Sequence, residues 1–292
     1  VGLSGSYNSQ TNGIIDFLGH GKDEKKKDWL GIDDGGRALP SILLSEENRS
    51  QLSQTAYLNA RKKESEYNDL RSLLNESSRQ LSNVFTPTMK KTPLNHRLNF
   101  SVGNSYRFGN NTLGFSLGGN YSNEYAHYEN GSVNTYTNNG NSLFTYQELK
   151  ENKSTETPHL GLLANLAYKI GNNHSVSVNG IYNNDTDIVG RTQYGSFTGQ
   201  LSSPNAQYNT NSLEFIRRNS QSLQLSGKHF FPGWNDVEIL WNVLANKSLQ
   251  SEPDSRYFAY IQYEEDGETI YGINDAEFRP PFHFFRDLND NN

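Results

Sequence analysis

From Arg97 onward, apolar side chains fall on every second position, and in an extended chain that places them all on one face. The first row is Leu98, Phe100, Val102, Tyr106 and Phe108, opposed by Asn99, Ser101, Gly103, Ser105 and Arg107. After Gly109-Asn110-Asn111 it resumes as Leu113, Phe115, Leu117, Tyr121 and Tyr125. Asn and Gly tolerate the positive φ that tight hairpin turns demand, so the two rows read as the arms of one hairpin. The unit recurs at Leu160–Ile170 with Val176–Tyr182, turning at Gly171-Asn172-Asn173. It recurs again at Leu223–Phe231 with Val237–Ala245, turning at Pro232-Gly233-Trp234-Asn235. With one alternating stretch at Val1–Tyr7, the pattern predicts seven strands: one single and three hairpins, 96–125, 159–184 and 213–248.

Between the hairpins lie long connections, Asn8–Asn95, Ala126–Thr157 and Asp185–Ser212, and a tail follows from Leu249. Structureless connections beyond about 12–15 residues are uncommon inside compact domains. Short turns at one end and long loops at the other are the mark of an outer-membrane β-barrel. The arms have the roughly 9–11 residues a tilted barrel strand needs to cross a bilayer. Aromatic residues gather at both ends of the rows: Phe108, Tyr168, Phe231 and Trp234 by the short turns, Tyr121, Tyr125 and Tyr182 towards the loops. Such girdles suit the two membrane–water interfaces. A soluble sandwich also alternates, but its strands average about 5–6 residues. Its outer face would also carry Lys and Glu where this chain has Gly, Ser and Asn. The expectation is an all-β chain forming part of a transmembrane antiparallel β-barrel.

Composition narrows the function. Only 33% of the 292 residues are hydrophobic, yet 12% are aromatic, and Asn is about one residue in eight. Disordered chains are poor in aromatics, and no apolar run approaches the roughly 20 residues of a membrane-spanning helix. The absence of Cys removes thiolate metal sites and cysteine nucleophiles. A net charge of -6 argues against a nucleic-acid partner. Seven scattered His show no metal spacing, and no nucleophile or phosphate-loop motif occurs. Neither catalysis nor a cofactor is expected.

The first connection has another texture. Ser45–Leu81 is charged, with Leu52, Ala56, Tyr57 and Ala60, then Tyr67, Leu70, Leu73, Leu74 and Leu81, near helical spacing. One or two short amphipathic helices are predicted, beginning near Ser45. Lys25-Lys26-Lys27 reads as a solvated loop or a contact to lipopolysaccharide phosphates. Asp33-Asp34-Gly35 and Asn184-Asp185-Thr186-Asp187 lack the further ligands of a calcium loop and read as structural turns.

Particular stretches resemble a known family. DWLGIDDGGRALP at Asp28–Pro40 is similar to a block in the first extracellular loop of TonB-dependent outer-membrane receptors, as is the run from Phe85 to Tyr125. LQLSGKH at Leu223–His229, SEPDSRYF at Ser251–Phe258 and RPPFHFFRDLNDNN at Arg279–Asn292 resemble later blocks, in the family's order. The group resembled often carries a carboxypeptidase-regulatory-like domain ahead of its plug. The resemblance implies a plugged barrel of about 22 strands that imports an iron chelate, cobalamin or glycan, driven by the TonB complex. It implies outer-membrane lipid, a small nutrient ligand and a surface lipoprotein as partners. Neither the plug nor the TonB-contact motif is found here, and roughly fifteen strands would remain to be supplied, so the chain reads as a barrel fragment.

Loops on a rigid scaffold are natural ligand contacts. Arg191, Tyr194 and Phe197 in the third connection, and Trp29 and Arg37 in the first, are the candidates, with loop packing as the alternative role. Besides active uptake, a passive porin or structural barrel and a surface adhesin share the pattern.

Overall fold

The computed structural model describes residues 1–138, 140, 142–197, 206–273 and 281–291. Arg279, Pro280 and Asn292 of the final block lie outside the described residues. The chain is mostly antiparallel β-sheet. Strands β1 (Gly2–Ser6), β4 (Asn95–Phe108), β5 (Asn111–Asn138), β6 (Leu143–Ile170), β7 (His174–Phe197), β8 (Gln207–Phe231), β9 (Val237–Glu265) and β10 (Glu268–Gly272) hydrogen-bond in that order, and β11 (Phe282–Asn291) also pairs with β9. A small ribbon of β2 (Phe17–Gly19) and β3 (Thr88–Lys90) stands apart. The described sheet is open.

Turns lie at Gly109-Asn110, Gly171-Asn172-Asn173 and 232–236, with positive φ at Gly109, Gly171, Asn235 and Asp236. Cross-strand register lines up the apolar rows: Val102 faces Leu117, which faces Ala164, then Gly180, Leu223 and Ala245.

The strands outrun the seven short arms expected. Strands β5 to β9 have 28, 28, 24, 25 and 29 residues, roughly 80–95 Å at about 3.3 Å per residue. Most of 126–157 and 185–212 is therefore paired strand rather than loop, and β9, β10 and β11 occupy the tail. The nine-stranded sheet replaces the seven strands read from the sequence. The reason is chemical. Above the apolar rows both faces carry Thr, Tyr, Asn and Gln, as in Ser132–Thr137, so β-forming residues persist while hydrophobic alternation fades. Asn184–Asp187 likewise sits within β7 rather than in a turn.

Among the described residues no second layer lies over the apolar rows. Phe100 is 45% and Leu162 43% exposed, and Val102, Leu117, Leu166, Leu223 and Val243 are exposed with them. A soluble monomer rarely shows an apolar patch beyond a few hundred Å². Above this band, the same face is covered by a module built from residues 9–92. Phe17 meets the Tyr125 ring edge-on at 5.8 Å. Leu18 N–H donates to Ser154 Oγ (2.7 Å), and the Gly31 carbonyl accepts from Asn184 Nδ2 (3.0 Å) and Thr186 Oγ1 (2.7 Å). Each tie satisfies a polar group buried by docking, which would otherwise cost about 1–3 kcal/mol. The core lies here, around Phe17, Leu18, Tyr125, Ile188 and Phe215.

Three helices occur where one or two were expected: α1 (Glu46–Gln51), α2 (Gln54–Ala60) and α3 (Glu64–Gln80). Ser45 and Ser53 each accept a backbone N–H at a helix start, so the second serine begins a new helix instead of continuing the first. Asp33 and Asp34 accept from Gly35 and Gly36 N–H, closing local turns.

Candidate functional site

On the polar face, register assembles a cluster well above the level of the apolar band. Arg191 of β7 faces Ser212 of β8, which faces Tyr257 of β9, which faces Phe282 of β11. One row along, Glu151 of β6 faces Gln193, and Gln193 faces Thr210. Alternation puts all of these side chains on one face. Arg191, Gln193, Thr210, Ser212, Tyr257 and Phe282 border a cavity of about 510 Å³ that Phe197 and Tyr208 also line, with Glu151 behind its wall.

Charge in the cluster is tightly engaged. Arg191 Nε lies 3.5 Å from Glu151 Oε2, and Arg191 Nη2 lies 3.8 Å from Glu214 Oε1. Gln193 Nε2 donates to Glu151 Oε2 (2.6 Å), Tyr128 OH donates to Glu151 Oε1, and Ser212 Oγ donates to Glu214 Oε1 (3.2 Å). Both carboxylates are buried, and Arg191 Nε is itself buried without a hydrogen bond. The two carboxylates stand behind the cavity wall and hold the one guanidinium that lines it. Burial, with the negative charge of Glu214, pushes the Tyr257 hydroxyl up to about 12, so it stays a neutral donor at physiological pH.

Aromatic rings complete the walls. Tyr257 and Phe282 stack at 4.9 Å, and Phe197 meets Tyr208 edge-on at 5.4 Å and Tyr146 at 5.1 Å. The pocket offers flat rings, amides, hydroxyls and an engaged guanidinium, a donor set for binding and orienting a ligand. Among the described residues no three His, Asp or Glu side chains gather as a metal site.

Of the five residues singled out by sequence, the structure brings Arg191 and Phe197 together here. Tyr194 points to the opposite face, where its hydroxyl donates to Asn130 Oδ1 (3.1 Å). Arg37 is buried in the module, 2% exposed, held by both oxygens of Asp28 at 2.7 and 2.6 Å. Trp29 is 55% exposed beside the upper edge of the apolar band, edge-on to Tyr121 at 5.7 Å, and the Tyr121 hydroxyl donates to its carbonyl (2.6 Å). Glu151, Glu214, Tyr257 and Phe282 escaped sequence reasoning. Extending the parity of Asn183 through Asp187 to Arg191 would have marked the face, but not the partner strands.

No family model matches this chain, and no curated protein or solved structure does so either.

Proposed function

We propose that this chain is part of the β-barrel of a TonB-dependent outer-membrane receptor, which takes up a scarce nutrient such as an iron chelate, cobalamin or glycan. The observation that supports this most is the bare apolar band, about the height of a bilayer core, on one face of a sheet whose other face is mainly polar, with Leu163, Ile181, Leu240 and Leu244 as its exposed apolar residues. Hydrocarbon tolerates a sheet only when every edge is paired, since each unpaired backbone group costs several kcal/mol. Further strands would close the open sheet into a cylinder. In that cylinder the polar face lines the interior, and the Arg191 pocket lies near the outer mouth, where cargo first meets the wall. Trp29 and Tyr121 then sit at headgroup level, as interfacial aromatics do. The role is transport rather than catalysis, with lipopolysaccharide around the wall, the TonB complex beneath, and a surface lipoprotein as a partner.

The test has two arms in the full gene product. Leu117→Arg, on the apolar face, should impair outer-membrane assembly by about 2–4 kcal/mol, while Ser116→Arg on the polar face should not. Growth on the limiting nutrient should require both the gene and TonB. Equal assembly of the two variants, or uptake indifferent to TonB, would overturn the proposal.

A further inference from the structure

A second cavity, of about 780 Å³, opens on the opposite face, above the apolar band and between the module and the sheet. Its volume is that of a small-molecule site. One wall is a run of rings: Phe258 and Tyr260 are 5.7 Å apart and Tyr260 and Tyr271 6.0 Å apart, centroid to centroid. Asp16 and Glu129 also line it, and among the described residues no Lys or Arg does. The ion contact seen for these two carboxylates is a 3.4 Å approach of His127 Nε2 to Glu129. Ring faces carry negative quadrupole density, and carboxylates add full negative charge. A cation that leaves water for this cavity gains both; an anion is repelled by both. Met89, exposed at the module's edge, adds a soft, adaptable contact.

We propose that this cavity binds a small organic cation, its ammonium seated over Tyr260 and neighboured by Glu129 and Asp16. The site opens on the face of the sheet opposite the Arg191 pocket, and the two cavities share Gln193, Asn211 and Phe258 in the wall between them. Its test is independent of the transport proposal.

The purified full chain is titrated calorimetrically with choline and with 3,3-dimethylbutanol, the neutral isostere of the same shape. Choline should bind about tenfold more tightly or better, since a desolvated cation–ring contact alone is worth about that much. The variant Asp16→Asn with Glu129→Gln, both exposed positions, should weaken choline about tenfold and leave the isostere unchanged. Tyr260→Phe should keep binding and Tyr260→Leu should lose it. Equal affinity for choline and its isostere, no choline heat at millimolar concentration, or unchanged binding by the double variant would overturn the proposal. Tighter binding of a lysine-containing peptide than of choline would reassign the site to a protein partner.

Discussion

Arg37 lies over the ring of Phe215, its guanidinium carbon 4.4 Å from the centroid, and both side chains are buried. The loop module is thus fixed to β8 by a cation on an aromatic face, while Asp28 holds the same guanidinium with two bonds. Burial opposes that charge, but the bond to Asp28 and the charges of Asp28 and Asp33 outweigh it and raise the Arg37 pKa. Removing one partner of a buried pair leaves the other charge stranded, at about 3–5 kcal/mol. Arg37→Ala should therefore loosen the module while the apolar hairpins stay intact. Limited proteolysis checks this: faster cleavage in residues 9–92 with unchanged β4–β5 is expected, and a wild-type pattern would refute it.

His20 gives the module a pH dependence. Burial, reinforced by the charge of Arg37, lowers its pKa from 6.5 to about 4, against the bond its Nε2 makes to the Val189 carbonyl (3.0 Å). Above pH 6.5 the ring is neutral whether the module is docked or open. As pH falls from 6.5 to 4, the open form takes up a proton that the docked form refuses, so docking weakens by up to about 3 kcal/mol. The protection factors of the Phe17–Gly19 amides, which take out the intrinsic pH dependence of exchange, should fall between pH 7 and pH 5. His20→Gln should flatten that response. An identical pH response in the variant would remove His20 as its cause.

Close approach at Gly190 supplies a steric test. A Cβ there would fall 2.4 Å from the Leu18 carbonyl oxygen, whereas one at Gly233 meets nothing within 4 Å. Backbone cannot yield as a side-chain tip can, and overpacking typically costs about 1–3 kcal/mol. Gly190→Ala should raise exchange at β2 by one to two orders of magnitude, about what that cost implies. Gly233→Ala should be silent in the same measurement.

The hairpins were legible because alternating apolar rows and positive-φ turn residues are local signals: Leu98 to Phe108 and Leu113 to Tyr125 need no distant information. The upper strands were not. Ile188 to Tyr194 changes from apolar to polar within one strand, and a hydrophobic period cannot follow it. Module docking was invisible for a different reason. Ser154, Asn184 and Thr186 are single polar residues whose partners are backbone groups more than a hundred residues away. The same holds for the site. Arg191 and Phe197 stood out as loop residues, but Glu214, Tyr257 and Phe282 join them only through a register spanning four strands.

In the proposed barrel, the band bearing Phe115 and Leu117 meets acyl chains while Ser116 meets water. The chain has no Cys, so a single cysteine at any of positions 113 to 118 is the one thiol in these 292 residues and can be labelled in the full-length protein, with any Cys outside this stretch replaced, within native outer membranes. Labels at Leu113, Phe115 and Leu117 should be quenched by a lipid-dissolved quencher, and those at Gly114, Ser116 and Gly118 by an aqueous one or not at all. An alternation with period two is the predicted result. Uniform aqueous quenching, or no alternation, would mean that this band does not face lipid.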